Sequence, residues 1–470
     1  MSLLQRAADA IADMGNISRR TVIIAAVVLA GAVLGGLVLL VPLNYLVFLL
    51  GGLVFAYLVI ARMEAAIVVA LLIQYQLARF NYMGGDTPFH PNGVMGLALI
   101  AGAAFYFLTH KVIVSRFTGV GGFLVFLAIS AISLVNAGEY LMESVGILLR
   151  LVAAFSIFVV LLQKLETVRQ VKWVIGAIIA AQLVPTIIGL IIVAGKSGLF
   201  FTDDTMRLGN SGVGVYLSVI SILCMVFLLD AKTTTSRILW GILSAFFLVG
   251  LFFSYGRSGW IGFGLSMVVI SFVRFKKLLF IIPLALILVV LFIPAISQRF
   301  ADISLTETDD PNADSTFAQR LEYWQAALEI YPNHPLLGVG YGIGRYHVGE
   351  YRGKYPHMIH NDYIAVLLET GIIGLFAFLF WQFQWARQLI KTYRAAPPGF
   401  EQTASFAIFV AFLATLVMRL SDNIVLDSFD MYPLCALTAA ILAIPRIRND
   451  ETKAAGLTSQ KQGNDAEPTN

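Results

Sequence analysis

Charge is what this sequence has least of. Of its 470 residues only 13% are Asp, Glu, Lys or Arg, while 59% are hydrophobic. Soluble domains carry roughly 25% charged residues, so the deficit excludes a chain solvated mainly by water. Cysteine is nearly absent. Cys224 and Cys435 are the two, each within an apolar run, which excludes a disulfide framework and a cysteine-type zinc site. Histidine numbers six, so any gathering of imidazoles stands out. The first twenty residues, MSLLQRAADAIADMGNISRR, lack the form of a cleaved signal: they are polar and amphipathic, and the apolar run after them leads into more membrane.

Hydrocarbon fills the space that charge leaves. Mean hydropathy is +0.82. Runs such as TVIIAAVVLAGAVLGGLVLL (21–40) reach the roughly 20 apolar residues that cross a bilayer core as a helix. The chain reads as an all-α polytopic membrane protein with about fourteen transmembrane helices (about twelve if weak segments merge). It divides into an N-terminal segment (1–20), a transmembrane bundle (21–295), one large loop (296–361) and further transmembrane helices (362–445). A polar tail without apolar periodicity (446–470) is expected to be disordered.

The placement of the charges sets an orientation. Connections such as THKVIVSR, QKLETVRQVK, VRFKK and ARQLIKTYR are basic and fall on one side. About two thirds of the Lys and Arg lie there, which makes that side, with both termini, cytoplasmic. The large loop then lies outside. Thr316 and Gln319 have capping-box spacing, Phe317, Leu321, Trp324 and Leu328 recur at helical intervals, and Pro332 ends the run. The spacing predicts an amphipathic helix lying along the membrane interface.

Against this orientation, several cations stand on the wrong side. Arg207 precedes a helix in DDTMRLGNSGVGVY, Arg257 sits at the centre of SYGRSGWIGFG, and Arg320 heads the loop helix in STFAQRLEYW. Arg150 and Arg419 add two more near helix ends. One such arginine can snorkel to lipid phosphate. Several together are better explained by an anionic ligand, and guanidinium matches diphosphate because it binds its oxygens bidentately at any working pH.

The stretch HMIHNDYIAVLLETGIIGL (357–375) puts imidazoles, an amide and a carboxylate before an apolar run. Asn361 or Asp362 can cap the helix; a cap needs no histidine. His347, His357 and His360 leave three readings open: solvated loop residues, a metal site lacking a clear carboxylate partner, or a general base on a hydroxyl. The glycines of GVGYGIG (338–344) lack the flanking strand and helix of a dinucleotide fingerprint and read as a flexible or close-packed loop.

RLEYWQAALEIYPNHPLLGVGYG followed by HNDYIAVLLETGIIGL, with SYGRSGWIGF and the Arg207 segment upstream, resembles the signature of the O-antigen ligase family over roughly residues 200–385. The resemblance implies a metal-independent, inverting glycosyltransferase of the bacterial cytoplasmic (inner) membrane, with its active site on the periplasmic face. It implies a donor glycan on undecaprenyl diphosphate, an acceptor hydroxyl on a lipid A core or similar glycan, and no cofactor. By motif, Arg207 and Arg257 correspond to the family's diphosphate-binding arginines, Arg320 to the arginine at the head of the loop helix, and His360 to the loop histidine. Polysaccharide polymerases, which use a second lipid-linked repeat as acceptor, share the signature. A transporter of lipid-linked oligosaccharide is a third reading.

Overall fold

The structure, a computed structural model, describes residues 43–78, 91–110, 119–195, 212–254, 256–279 and 317–464. Among them every regular element is helical. The helices are α1 (Leu43–Ala61), α2 (Met63–Ala78), α3 (Pro91–Thr109), α4 (Val120–Ser133), α5 (Leu141–Lys164), α6 (Val168–Ala181), α7 (Leu183–Gly195) and α8 (Gly212–Asp230). They continue with α9 (Thr234–Phe253), α10 (Arg257–Val273), α11 (Phe317–Ile330), α12 (Gly344–Arg352), α13 (Asp362–Ala395), α14 (Phe400–Met418) and α15 (Ser428–Asn464). Chain without water must satisfy its backbone polar groups internally, which leaves helices as the natural form for runs this apolar.

Eight of the described helical segments are long and apolar enough to cross a membrane, and four apolar helices are shorter. This is a multi-pass membrane protein. The expected spans at 21–41 and 278–295 lie outside the described residues, apart from 278–279. The span expected at 173–194 is interrupted at Gln182, where α6 ends and α7 begins; Pro185 comes within the first turn of α7, where a missing N–H costs least.

The chain forms two compact units, residues 1–62 and 63–470. In the first, α1 is the described element; Leu53, Val54, Tyr57 and Ile60 on it are exposed. In the second, α8 packs against α9, α10 and α14, while α13 packs against α4 and α14, and α5 against α15. An aromatic stack joins α4 to α13: Trp381 lies 4.1 Å from Phe123 and 5.6 Å from Phe126, both stacked. Close approach between α8 and α10 depends on glycine. A methyl group on Gly259 would meet the Gly214 carbonyl oxygen at 2.3 Å. Small residues let helix backbones meet where lipid offers no hydrophobic drive.

The loop is folded onto α13. Tyr323, Ala326, Ala327 and Ile330 of α11 are buried with Val339, Val348, Ile359, Ala365 and Leu368. The apolar stripe expected on α11 therefore divides. Trp324 is half-buried and donates its indole N–H to the Ile359 carbonyl at 2.8 Å, whereas Leu321 and Leu328 stay exposed. A short helix with two apolar stripes is decided by its partners, and Tyr323–Ile330 is the stripe that α13 selects.

What receives the loop is a break in α13. At Gly371 (φ 68°, ψ −171°) the helix path is interrupted. The freed carbonyls of Leu368 and Glu369 accept from Val339 and Gly340, each at 3.0 Å, and Ile372 donates to Pro335 at 2.9 Å. The buried Glu369 carboxylate accepts from the amides of Gly342 (2.8 Å) and Gly344 (3.2 Å). The glycine-rich stretch is thus a packing surface, with positive φ at Gly338, Gly340 and Gly342.

The chain also stays helical to Asn464, where a disordered tail is expected from 446. The tail holds good helix formers such as Ala, Lys and Gln with no proline between 446 and 464, and it extends a helix already nucleated by packing, so each further turn is easy to add.

Gly371→Ala should destabilise the protein by on the order of 2 kcal/mol or more, from the left-handed φ together with a new Cβ about 2.2 Å from the Leu336 carbonyl. A lowered thermal midpoint in detergent checks this; an unchanged midpoint rules out the break as a structural requirement.

Candidate functional site

The segment from Arg419 to Asp427 links α14 to α15, and it collects side chains from across the sequence. Its anchor is Arg419. The side chains of Arg419 and Asp362 are both fully buried, with Nη1 and Oδ2 2.6 Å apart. Asp362 also donates its amide to the Arg419 carbonyl (2.8 Å) and accepts from the Val425 amide at 3.0 Å. Arg419, expected as one more outward cation, is therefore committed to the protein itself, and Arg150 is exposed. Asn361 is the helix cap, accepting from Tyr363 and Ile364 and donating to the Leu420 carbonyl at 3.0 Å.

His360 is the one described non-glycine residue with positive φ, at 53°. Its amide donates to the Asn423 side-chain oxygen at 2.6 Å, which helps hold this costly backbone. Its Nδ1 lies 3.8 Å from Asp422 Oδ1 and makes no hydrogen bond among the described residues. Asp422 is 7% exposed; its other oxygen accepts from the Ser258 hydroxyl at 3.1 Å. Ser258 comes directly after Arg257, the half-buried first residue of α10. Arg320 reaches the same segment from α11, donating Nη1 to the Ser421 carbonyl at 2.9 Å. Burial pulls the Arg320 pKa down and the Asp422 carboxylate opposes this. Arginine starts so far above neutrality that the guanidinium keeps its charge.

Three of the four residues expected from sequence thus converge on 421–423: Arg257 through its neighbour Ser258, Arg320, and His360. Arg207 lies outside the described residues. The next helix along the chain, α8, begins at Gly212, and Gly214 there meets Gly256 at the head of α10. His347, His357 and His360 each have different partners. His347 sits edge-on to Tyr140 and 4.0 Å from Glu350, with burial lowering its pKa, while His357 lies between Tyr323 and Tyr355. Among the described residues no three His, Cys, Asp or Glu side chains are grouped to hold a metal ion.

Asp422 and Asn423 were not singled out by sequence. Their signal was there in SDNIVLD, a polar run carrying two acids between apolar helices, but it resembles a solvated turn until its partners are known.

The O-antigen ligase family profile matches residues 242–379. That stretch is similar to an O-antigen ligase domain. It contains Arg257, Arg320 and His360, and it stops short of Asp422. The chain is also similar to provisionally named polysaccharide ligases of Rickettsia. With that of Rickettsia conorii it shares 29% identity over 147 residues, 28% of this chain and 35% of the relative. With that of Rickettsia felis the identity is 26% over 188 residues, 37% of this chain and 44% of the relative. The match therefore spans less than half the length of these relatives. Among the described residues, His360, Arg320 and Ser258 of the matched stretch meet the 419–427 segment beyond it in one polar cluster.

Removing the Arg419 side chain with Arg419→Ala would leave the Asp362 carboxylate buried and unpaired, at a cost of about 3–5 kcal/mol. Asn423→Ala should cost about 1 kcal/mol, with faster amide hydrogen exchange confined to residues 353–361. Thermal unfolding and exchange mass spectrometry check the two; global loosening in Asn423→Ala would show that Asn423 does not act locally.

Proposed function

We propose that this protein is a membrane glycosyltransferase of the O-antigen ligase type. It transfers a glycan from undecaprenyl diphosphate to an acceptor hydroxyl, on a lipid A core or a similar glycan, at the periplasmic face of the bacterial inner membrane. The observation that carries this reading is the meeting of Arg320, His360 and the Arg257–Ser258 helix start at residues 421–423, all within or against the stretch similar to an O-antigen ligase domain. The bacterial relatives named as polysaccharide ligases support it, as does the basic side of the chain, which makes the termini cytoplasmic and leaves the loop outside.

The chemistry comes from the groups themselves. The acceptor oxygen attacks the anomeric carbon as the bond from that carbon to the diphosphate oxygen breaks, and the electron pair leaves with the diphosphate. One displacement inverts the anomeric centre. Negative charge accumulates on the leaving group, so Arg257 and Arg207, with Arg320 close by, stabilise the transition state more than the bound donor. His360 takes the acceptor proton. The Asp422 carboxylate, 3.8 Å from Nδ1, favours the imidazolium that results. No nucleotide is consumed, because the energy lies in the sugar–diphosphate link itself. A polyprenyl tail tethers that diphosphate at the lipid boundary, and Leu321 and Leu328 on α11 face outward, suited to the interface.

The test is purified protein given a defined undecaprenyl-diphosphate glycan with either lipid A core or excess donor. Product on the core identifies a ligase, a ladder of repeats a polymerase, and binding without turnover a transporter, which would end this proposal. His360→Ala should lower turnover by roughly 10²–10⁴ and Arg257→Ala by roughly 10²–10³, with membrane insertion unchanged. Wild-type turnover in either variant removes that residue from the mechanism.

A further inference from the structure

A few residues ahead of His360 in the chain, one face of the loop combines exposed aromatic rings with fixed charges. The turn after α12 is closed by Gly353 and Lys354, whose amides donate to Glu350 and Gly349 at 3.0 and 2.9 Å. The last turn of α12 presents Tyr351 at 56% exposure, and the chain just beyond it presents Tyr355 at 73%. Both rings are restrained. The Tyr351 hydroxyl donates to Glu329 at 2.9 Å, and Tyr355 meets His357 edge to face at 5.8 Å. From α11, Glu322 holds Arg352 at 2.7 Å and Lys354 at 3.4 Å.

A single exposed tyrosine needs no explanation. Two on a rigid turn, beside a charged trio and leading along the chain to the imidazole, do. From Tyr355 to His360 the chain can span at most about 18 Å, the reach of a few linked sugars. We propose that Tyr351, Tyr355 and His357, with Glu322, Arg352 and Lys354, form a saccharide-binding platform that guides the acceptor glycan to His360. This rests on the reading of His360 as the acceptor-side group.

The chemistry of the surface selects the ligand class. Pyranose rings expose C–H faces that pack on aromatic rings and hydroxyls that need paired donors and acceptors at the rim; tyrosine supplies apolar area with a polar tip at little entropic cost. Tyrosine is also enriched at membrane interfaces, but the position in the fold favours the sugar. Glu322 and Glu329 are seven residues apart on one stripe of α11, turned by about 100° from the stripe of Leu321 and Leu328. The aromatic turn is fastened to the acidic stripe through Tyr351, Arg352 and Lys354. It therefore belongs to the face that water reaches.

The experiment uses the full chain in detergent or nanodiscs with two lipid-free probes. These are delipidated lipopolysaccharide core oligosaccharide and the free repeat-unit oligosaccharide released from its diphosphate. Saturation-transfer NMR on His360→Ala should show one of them bound, and the added change Tyr355→Ala should abolish that signal. In otherwise wild-type protein Tyr355→Ala should raise the acceptor KM roughly tenfold, leaving donor KM and kcat at saturating acceptor unchanged, and Tyr355→Phe should restore it. An unchanged acceptor KM overturns the platform while leaving transferase activity standing. Saccharide binding that depends on Tyr355 in a protein without turnover would sustain the platform and end the transferase reading. If neither probe binds and Tyr355→Ala weakens only liposome association, the turn is a membrane anchor and the proposal fails.

Discussion

One buried ion pair organises the end of the bundle where α13 begins and α14 ends. Arg419 and Asp362 have no access to water, and burying two charges is tolerable only when each is fully engaged. Asp362 answers that demand by also accepting the Val425 amide. The pair therefore fixes where α14 ends and where α13 starts, and it pins the turn between α14 and α15 over the first residue of α13. The groups proposed to react are attached to that turn or to the residues just before α13. His360 stands two positions ahead of Asp362, while Asp422 and Asn423 lie three and four after Arg419.

A second constraint complements it. The interruption of α13 at Gly371 opens backbone carbonyls that a regular helix would use internally, and the glycine-rich stretch occupies them. Glu369 fastens the same stretch through two amides. Loop and bundle are thus joined by backbone hydrogen bonds in a region poor in water, where such bonds are hard to exchange. A loop held this firmly can keep an imidazole in a strained backbone conformation, and the strain sits where substrate chemistry is proposed.

Rigidity of this kind suits transfer from a lipid-borne donor. In the proposed transfer the donor diphosphate would be confined by its tail to the boundary of the membrane and the acceptor would arrive from water. Arg257 at the head of α10, Arg320 on α11 and His360 would meet both without a large closure. Small residues at Gly214, Gly256 and Gly259 bring the start of α8 against the head of α10, the helix that Arg257 begins.

Composition and charge placement alone determined that the chain is helical and crosses a membrane several times, because hydrocarbon admits few alternatives. The motifs around Arg257, Arg320 and His360 stood out in the sequence as candidates, since cations in apolar surroundings on the side expected to lack them need a reason. Tertiary structure decided the rest. It gave His360 partners different from those of His347 and His357, turned Arg419 from a candidate ligand into an internal partner of Asp362, and chose which stripe of α11 is buried. It also brought Asp422 to the histidine from 62 positions further along. Local periodicity reports how each segment meets its own surroundings; which distant charge meets which is set only when helices pack.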